Sequence, residues 1–223
     1  WLNTNQIERV WEQMNLAYNY GADRIWIVNV GDIKPMEFPI SFFLEMAWNP
    51  LKFNETNISN YYKEWCKQQF PEEFKNEIAE ILSLYTKYNS RRKPELISQD
   101  TYSLTNYNEF ERVVNDFKIL TDKAKTIYNK LSDEYKSAYY QLILYPTEAS
   151  SNLNELYYNS AKNKMYAIQG RVLTDSLANK VIDLFNYDKK LSNDYHNLNN
   201  KKWNHMMSQT HIGYTYWQQP DSN

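Results

Sequence analysis

Hydrophobic and polar positions alternate along most of the chain with the spacing of amphipathic helices. In residues 5–20, apolar side chains recur every three or four positions, and a glycine follows as a stop signal. The spacing also predicts a helix that begins at Pro146 and runs past Gly170 to about residue 187, and a short last helix over residues 191–207. Further helices are predicted over residues 37–48, 57–70, 72–88, 108–131 and 133–144.

One segment departs from this pattern. Arg24–Val30 is short, almost continuously hydrophobic, rich in β-branched and aromatic residues, and bounded by Gly21 and Gly31. Such a run is typical of a strand that is buried on both faces of a parallel sheet. The order helix, strand, helix over residues 1–50 is typical of an α/β barrel or a doubly wound sheet. Because one strand cannot form a sheet, we predict that residues 1–50 lack partners that a larger barrel would supply.

No other convincing strand is predicted before the aromatic stretch Ile212–Pro220, which could be extended. The predicted fold class is therefore mainly α. A helical bundle over residues 51–223 is preceded by an α-β-α remnant of a (β/α)8 barrel over residues 1–50. Composition supports helices, since the 223 residues include only 4 glycines. Folds made of strands and nucleotide-binding loops use glycine at their turns.

Charge and residue types exclude several functions. The 25 basic and 27 acidic residues leave no basic excess for nucleic acid, and no apolar run is long enough for a membrane span. Cys66 is the only cysteine, which excludes an internal disulfide, and its apolar surroundings predict a buried structural thiol. His196, His205 and His211 lack the four-residue spacing that aligns two metal ligands on a helix. We therefore predict no metal and no cofactor.

The polar residues that follow the predicted strand form the candidate site, because active sites lie at the carboxyl ends of barrel strands. Asn29 interrupts an apolar strand, and we predict that its amide binds a sugar hydroxyl or carboxylate. Asp32 either lies beside it in the pocket or caps the following helix, and Lys34 either binds an acidic sugar or is a solvated loop lysine. Glu37 completes the carboxylate pair that a glycosidase needs, although a carboxylate also suits a first helical turn. Spacing alone names no reaction.

The stretch YGADRIWIVNVGDIKPMEFPISFFLEMAWNP resembles a recurring stretch of glycoside hydrolase family 115. Four more segments resemble parts of that family in the same order, so the resemblance extends over essentially the whole chain; they are WLNTNQIERVWEQMNLAY, RRKPE, YAIQGR and THIGYTYWQQP. The resemblance implies a multidomain enzyme with an N-terminal domain, a (β/α)8 catalytic barrel, a helical bundle and a β-sandwich. It also implies hydrolysis, with inversion, of α-1,2-linked glucuronic acid or its 4-O-methyl ether from xylan-type polysaccharides.

On this mapping the chain begins after barrel strand seven and ends before the sandwich. The catalytic residues are therefore unknown, because the family's principal carboxylates are expected on earlier strands, and the isolated chain is expected to be inactive. Asn29, Asp32 and Lys34 carry over as substrate-binding candidates. The parent is expected to be a bacterial enzyme, secreted or periplasmic, whose partner is a glucuronic-acid-substituted polysaccharide.

Two other hypotheses stay open. The chain could be a non-catalytic helical interaction domain, since an unpaired strand edge favours self-association, for example as a homodimer. Alternatively, it could be an unrelated helical sugar-binding module, because its 20 tyrosines and 7 tryptophans supply many rings for stacking on sugars.

Overall fold

The computed structural model describes residues 1–214, and all regular structure within them is helical. The prediction of a mainly helical chain is therefore confirmed. Leu2–Ser90 forms one compact unit, and Trp1 together with the chain from Arg91 onwards forms another. Residues 51–90 thus pack with residues 2–50, while the assignment of residues 1–50 to a barrel stays a prediction. Most of the predicted extended tail Ile212–Pro220 lies outside the described residues. Within residues 1–214, no helix is long and apolar enough to cross a membrane.

The Leu2–Ser90 unit contains four α-helices close to their predicted bounds, with a 3₁₀ turn at Glu72–Phe74. They are α1 (Ile7–Asn19), α2 (Glu37–Trp48), α3 (Ile58–Gln69) and α4 (Lys75–Asn89). Phe38 of α2 lies at the centre of an aromatic core, with its ring centroid 5.0 Å from that of Tyr62 and 5.1 Å from that of Trp65. Aromatic side chains of this unit therefore serve mainly to fill its core.

Cys66 lies in this core and is completely buried, as predicted. Burial raises the pKa of its thiol to about 12, because the charged thiolate is poorly solvated there. Since the thiolate is the reacting species, we expect a disulfide reagent such as DTNB to modify the folded protein far more slowly than the urea-unfolded protein. Stoichiometric labelling of the folded chain as fast as that of the unfolded chain would contradict this.

The predicted strand over Arg24–Val30 does not form, and the backbone between α1 and α2 is irregular. A strand needs a neighbour to pair with its backbone N–H and C=O groups, and none is present in residues 1–214. Trp26 still packs on the unit, with its ring centroid 5.9 Å from that of Phe43. Its neighbours Ile25 and Ile27 are instead 78% and 90% exposed. The β-type sequence is therefore present without the sheet that would bury it.

The second unit is a helical bundle built around one long helix. Its elements are a 3₁₀ turn (Pro94–Leu96), α5 (Glu109–Lys130), α6 (Asp133–Tyr139), a π-helical segment (Tyr140–Leu144), α7 (Tyr145–Ile168) and α8 (Thr174–Lys201). The segments from α6 to α7 follow one another without a break in helical geometry. The α7 helix packs against both α5 and α8, and Leu153, Leu156 and Leu184 form part of the core between α7 and α8.

Two predictions for the end of the chain are wrong. The helix that begins near Pro146 ends at Ile168, because Gly170 adopts a left-handed φ of +65° that terminates it. The predicted short helix over residues 191–207 is instead the second half of α8, whose helical geometry breaks at Leu198. Apolar spacing continues across the glycine turn because both helices contribute residues to one core, so periodicity did not reveal the break.

Candidate functional site

Asn29 lies in an exposed turn of the segment that precedes α2. Its side-chain oxygen accepts a hydrogen bond from the backbone N–H of Gly31 at 3.1 Å, and Gly31 has a φ of +66°. This is a side-chain-to-backbone turn of the kind that asparagine favours. The turn fixes the orientation of the amide, and because the residue is exposed its nitrogen can still reach a ligand.

Lys34 and Glu37 are brought together as an ion pair at the start of α2. Their side chains are only 16% and 27% exposed, so Lys34 is not the solvated loop lysine that the sequence allowed. Its charge is also balanced by Glu37, which leaves little net attraction for an acidic sugar in this structure. The prediction that Lys34 binds substrate therefore depends on Glu37 having another partner in a complete site.

Asp32 is exposed and does not cap α2. The residue that precedes the helix is Met36, and no side chain caps the helix start. In the described part of the chain, neither Asn29 nor Asp32 joins the pair formed by Lys34 and Glu37. The structure thus places the candidate residues on one loop, with Lys34 and Glu37 paired and Asn29 and Asp32 exposed.

Large apolar side chains are exposed between residues 25 and 51, a stretch that contains this loop. Each of them is more than half exposed, and we call them the exposed apolar surface: Ile25, Ile27, Ile33, Leu44, Trp48 and Leu51. Single exposed apolar residues are normal on a soluble protein, but so many within such a short stretch indicate a surface that is covered in its functional state.

Glu148 is a buried carboxylate that the sequence did not reveal. It is 7% exposed. Its Oε1 lies 2.7 Å from Nζ of Lys125, with which it forms an ion pair, and it also accepts a hydrogen bond from the Tyr187 hydroxyl. Burial, together with this carboxylate, raises the pKa of the Tyr187 phenol. Asn152 of α7 and Gln141 of the π-helical segment before it are also buried, so polar residues recurring on an apolar helical face were the available signal. The contacts of Glu148 with Lys125 and Tyr187 are both made inside the bundle, which indicates a structural role for this carboxylate.

A histidine–aspartate pair is buried in the same unit. Nδ1 of His211 lies 3.0 Å from a carboxylate oxygen of Asp188, and the imidazole stacks on Trp1 with ring centroids 3.6 Å apart. Nothing in the spacing of the sequence linked these residues. The pair fastens the segment that follows α8 onto that helix.

His196, like His211, connects α8 to the segment that follows it. Its Nε2 accepts a hydrogen bond from the backbone N–H of Met207 at 3.1 Å, and burial, with smaller effects of His205 and His211, lowers the pKa of its imidazole. Although these three histidines are neighbours, residues 1–214 contain no group of three His, Cys, Asp or Glu side chains with metal-binding geometry.

Comparisons with known proteins agree on one family. Residues 1–96 match the model of glycosyl hydrolase family 115. Among solved structures, the chain is similar to a family GH115 4-O-methyl-α-glucuronidase, BtGH115A, described as specific for decorated arabinogalactans. That similarity has a TM-score of 0.79 and 25% sequence identity, and it covers 93% of this chain but 28% of the other. A search of curated proteins gave no match. The chain therefore spans little more than a quarter of its structural neighbour.

Proposed function

We propose that this chain, whose resemblance to glycoside hydrolase family 115 is confirmed by the match of residues 1–96, is part of a glycoside hydrolase. The parent enzyme removes α-1,2-linked glucuronic acid or its 4-O-methyl ether from a decorated polysaccharide, with inversion. The observation that carries this proposal is the structural similarity to a family GH115 enzyme, which covers 93% of the chain. The family match of residues 1–96 supports it. The similar structure is named for decorated arabinogalactans, whereas the family resemblance points to xylan-type polysaccharides, so both are candidate substrates.

Within this parent, residues 1–50 form the end of the catalytic barrel and the helices after them form the adjoining helical domain. Two features of the Leu2–Ser90 unit support this role. The strand-type segment Arg24–Val30 has no strand paired with it in the described residues, and two residues of the exposed apolar surface, Ile25 and Ile27, belong to it. Neighbouring barrel strands would supply hydrogen bonds to the backbone of this segment and would cover the exposed apolar surface. Asn29, Asp32 and Lys34 would then line one edge of the substrate pocket, and the catalytic carboxylates would come from other strands.

The test compares the 223-residue chain with the full-length parent. Both are incubated with oligosaccharides that carry 4-O-methylglucuronic acid, on a xylan-type backbone in one arm and on an arabinogalactan in the other, and released uronic acid is measured. We expect the parent to be active on one arm or both, and the isolated chain to be inactive because it lacks the principal carboxylates. Activity of the isolated chain equal to that of the parent would refute the missing-carboxylate argument. An inactive parent on both arms would refute the proposed reaction.

Asn29→Ala in the parent tests the substrate-binding role. If the amide contacts the sugar, kcat/KM should fall about tenfold, the loss expected for one hydrogen bond of about 1.5 kcal/mol. Asn19→Ala removes an exposed amide at the end of α1 and serves as the matched control. Equal kcat/KM values for the two variants would remove Asn29 from the site.

The exposed apolar surface also favours a second candidate function, a non-catalytic interaction domain that self-associates as a homodimer. Trp48 is 92% exposed and Ile27 is 90% exposed, and burying such side chains against a second copy is favourable. Light scattering over a concentration series should then show self-association that the double change Ile27→Ser and Trp48→Ser weakens. A monomer at every concentration would exclude this candidate. For the enzyme, we also propose a secreted or periplasmic location, because polymeric substrates stay outside the cell.

A further inference from the structure

A groove of about 330 Å³ lies between α3 and the chain that links it to α2, within the Leu2–Ser90 unit. None of residues 29–37 lines it. Its walls combine aromatic, amide and charged side chains, a mixture typical of small-molecule sites. The groove is therefore a second candidate ligand site, separate from the loop that carries Asn29.

The floor of the groove is aromatic. It includes Phe53, Tyr61 and Trp65, which are 8%, 8% and 5% exposed. The ring centroids of Phe53 and Tyr61 lie 5.6 Å apart in an edge-on arrangement, and Trp65 packs edge-on against Phe38. Because these rings pack on one another, they present little of their faces to the groove. The floor thus offers apolar contact but no stacking platform.

The rim on the α3 side is polar. Asn60, Glu64 and Gln68 follow one another at four-residue spacing and are all exposed. Side chains with this spacing lie on one face of a helix, and a rise of about 1.5 Å per residue separates the first from the last by roughly 12 Å. The rim therefore offers a line of hydrogen-bond donors and acceptors above an apolar floor, an arrangement suited to a ligand that has hydroxyl groups around an apolar ring.

Charge decides which ligand suits the groove. Among the described residues, Lys52 is the only basic one that lines the groove, and it is ion-paired with Glu45 of α2. Glu64 adds a further negative charge on the rim. With one cation, already paired, and two carboxylates, the groove disfavours an anion such as glucuronic acid and accepts a neutral polyol.

We propose that this groove binds a neutral pyranose residue of the polysaccharide backbone, at a place distinct from the one that accepts the acidic decoration. The choice of ligand rests on the proposed function. A volume of about 330 Å³ lies at the lower end for small-molecule pockets, which fits one sugar residue. Since no ring face is open for stacking and the rim bonds compete with water, we expect a dissociation constant on the order of 1 mM.

The test is a titration of the 223-residue chain followed by ¹⁵N NMR. The probes are xylotetraose, a β-linked galacto-oligosaccharide of the same length, and free glucuronic acid. We expect saturable shifts of backbone amides along α3 with one neutral oligosaccharide or both, and no such shifts with glucuronic acid. The two neutral arms distinguish a xylan-type backbone from a galactan-type backbone.

A pair of neighbouring amide variants localises the binding. Gln68→Ala removes a rim amide and should weaken the binding about three- to tenfold, as loss of one net hydrogen bond does. Gln69→Ala removes the exposed amide next to it, which does not line the groove, and should leave the affinity unchanged. Circular dichroism confirms that both variants are folded.

Three results would overturn the proposal: no saturable shifts with either neutral oligosaccharide, equal weakening by both variants, or tighter binding of glucuronic acid. Binding to the isolated chain requires no catalysis. An inactive parent would therefore refute the proposed function while groove binding persists, and absent groove binding would leave the parent's activity intact.

Discussion

Replacing Phe38 by alanine is expected to lower the free energy of unfolding by about 3–5 kcal/mol, the usual cost of truncating a buried phenylalanine. Phe38 is 2% exposed, and its ring meets those of Tyr61, Tyr62 and Trp65 at centroid distances of 5.0–5.8 Å. Alanine would leave a cavity between two helices that these aromatic rings, which also pack on one another, cannot close. Urea unfolding followed by far-ultraviolet circular dichroism measures the change.

Leu44→Ala is the matched control, because Leu44 lies on the same helix but is 59% exposed. Its truncation should change the free energy of unfolding by less than about 0.5 kcal/mol, as is usual at the surface. A Phe38→Ala variant as stable as Leu44→Ala would show that the aromatic core does not hold the Leu2–Ser90 unit together.

Three of the four helices of the first unit could be predicted because each of the three has a clear local stop. Gly21 follows α1, Asn49 and Pro50 follow α2, and Pro71 follows α3. These signals act within a few residues, where the backbone preferences of glycine and proline dominate. The end of α7 at Gly170 shows the limit of such reasoning, since a glycine inside a continuous apolar pattern is compatible with either a turn or a packed helix.

The strand over Arg24–Val30 could not be predicted correctly from local sequence, because strand formation is not a local property. Hydrogen bonds of a strand are made with another strand, and the described residues contain none. The sequence pattern shows that the segment is suited to a buried sheet, whereas in the described residues no sheet is present to pair with it. The exposed Ile25 and Ile27 mark that difference directly.

The candidate site was predictable in part. The sequence predicted Asn29 at the end of a strand with Asp32 and Lys34 in the turn after it, whereas the structure places all three in the irregular segment before α2. The sequence did not reveal the pairing between Lys34 and Glu37, because Lys34 lies in the turn before α2 and not on the helix itself. The groove beside α3 and the Asp188–His211 pair depend on contacts between separate segments, and the spacing of residues in a single sequence gives no signal for such contacts.

Replacing His211 by alanine is expected to lower the free energy of unfolding of the second unit by about 3 kcal/mol, because a buried carboxylate would lose its partner. His211 is 3% exposed, its Nδ1 lies 3.0 Å from the Asp188 carboxylate, and its ring stacks on Trp1. Substitution by alanine removes both contacts and leaves Asp188, itself 7% exposed, without that bond. Urea unfolding measures the loss.

Two further variants separate the pair from general effects of removing a histidine. His205→Asn changes an exposed histidine whose φ of +70° asparagine tolerates. Its free energy of unfolding should therefore stay within about 0.5 kcal/mol of that of the unchanged 223-residue chain. Adding Asp188→Asn to His211→Ala should recover part of the lost stability, since the buried charge is then removed as well. If the double variant is instead less stable than His211→Ala by the full effect of Asp188→Asn alone, the two residues act independently and the contact does not fasten the chain to α8.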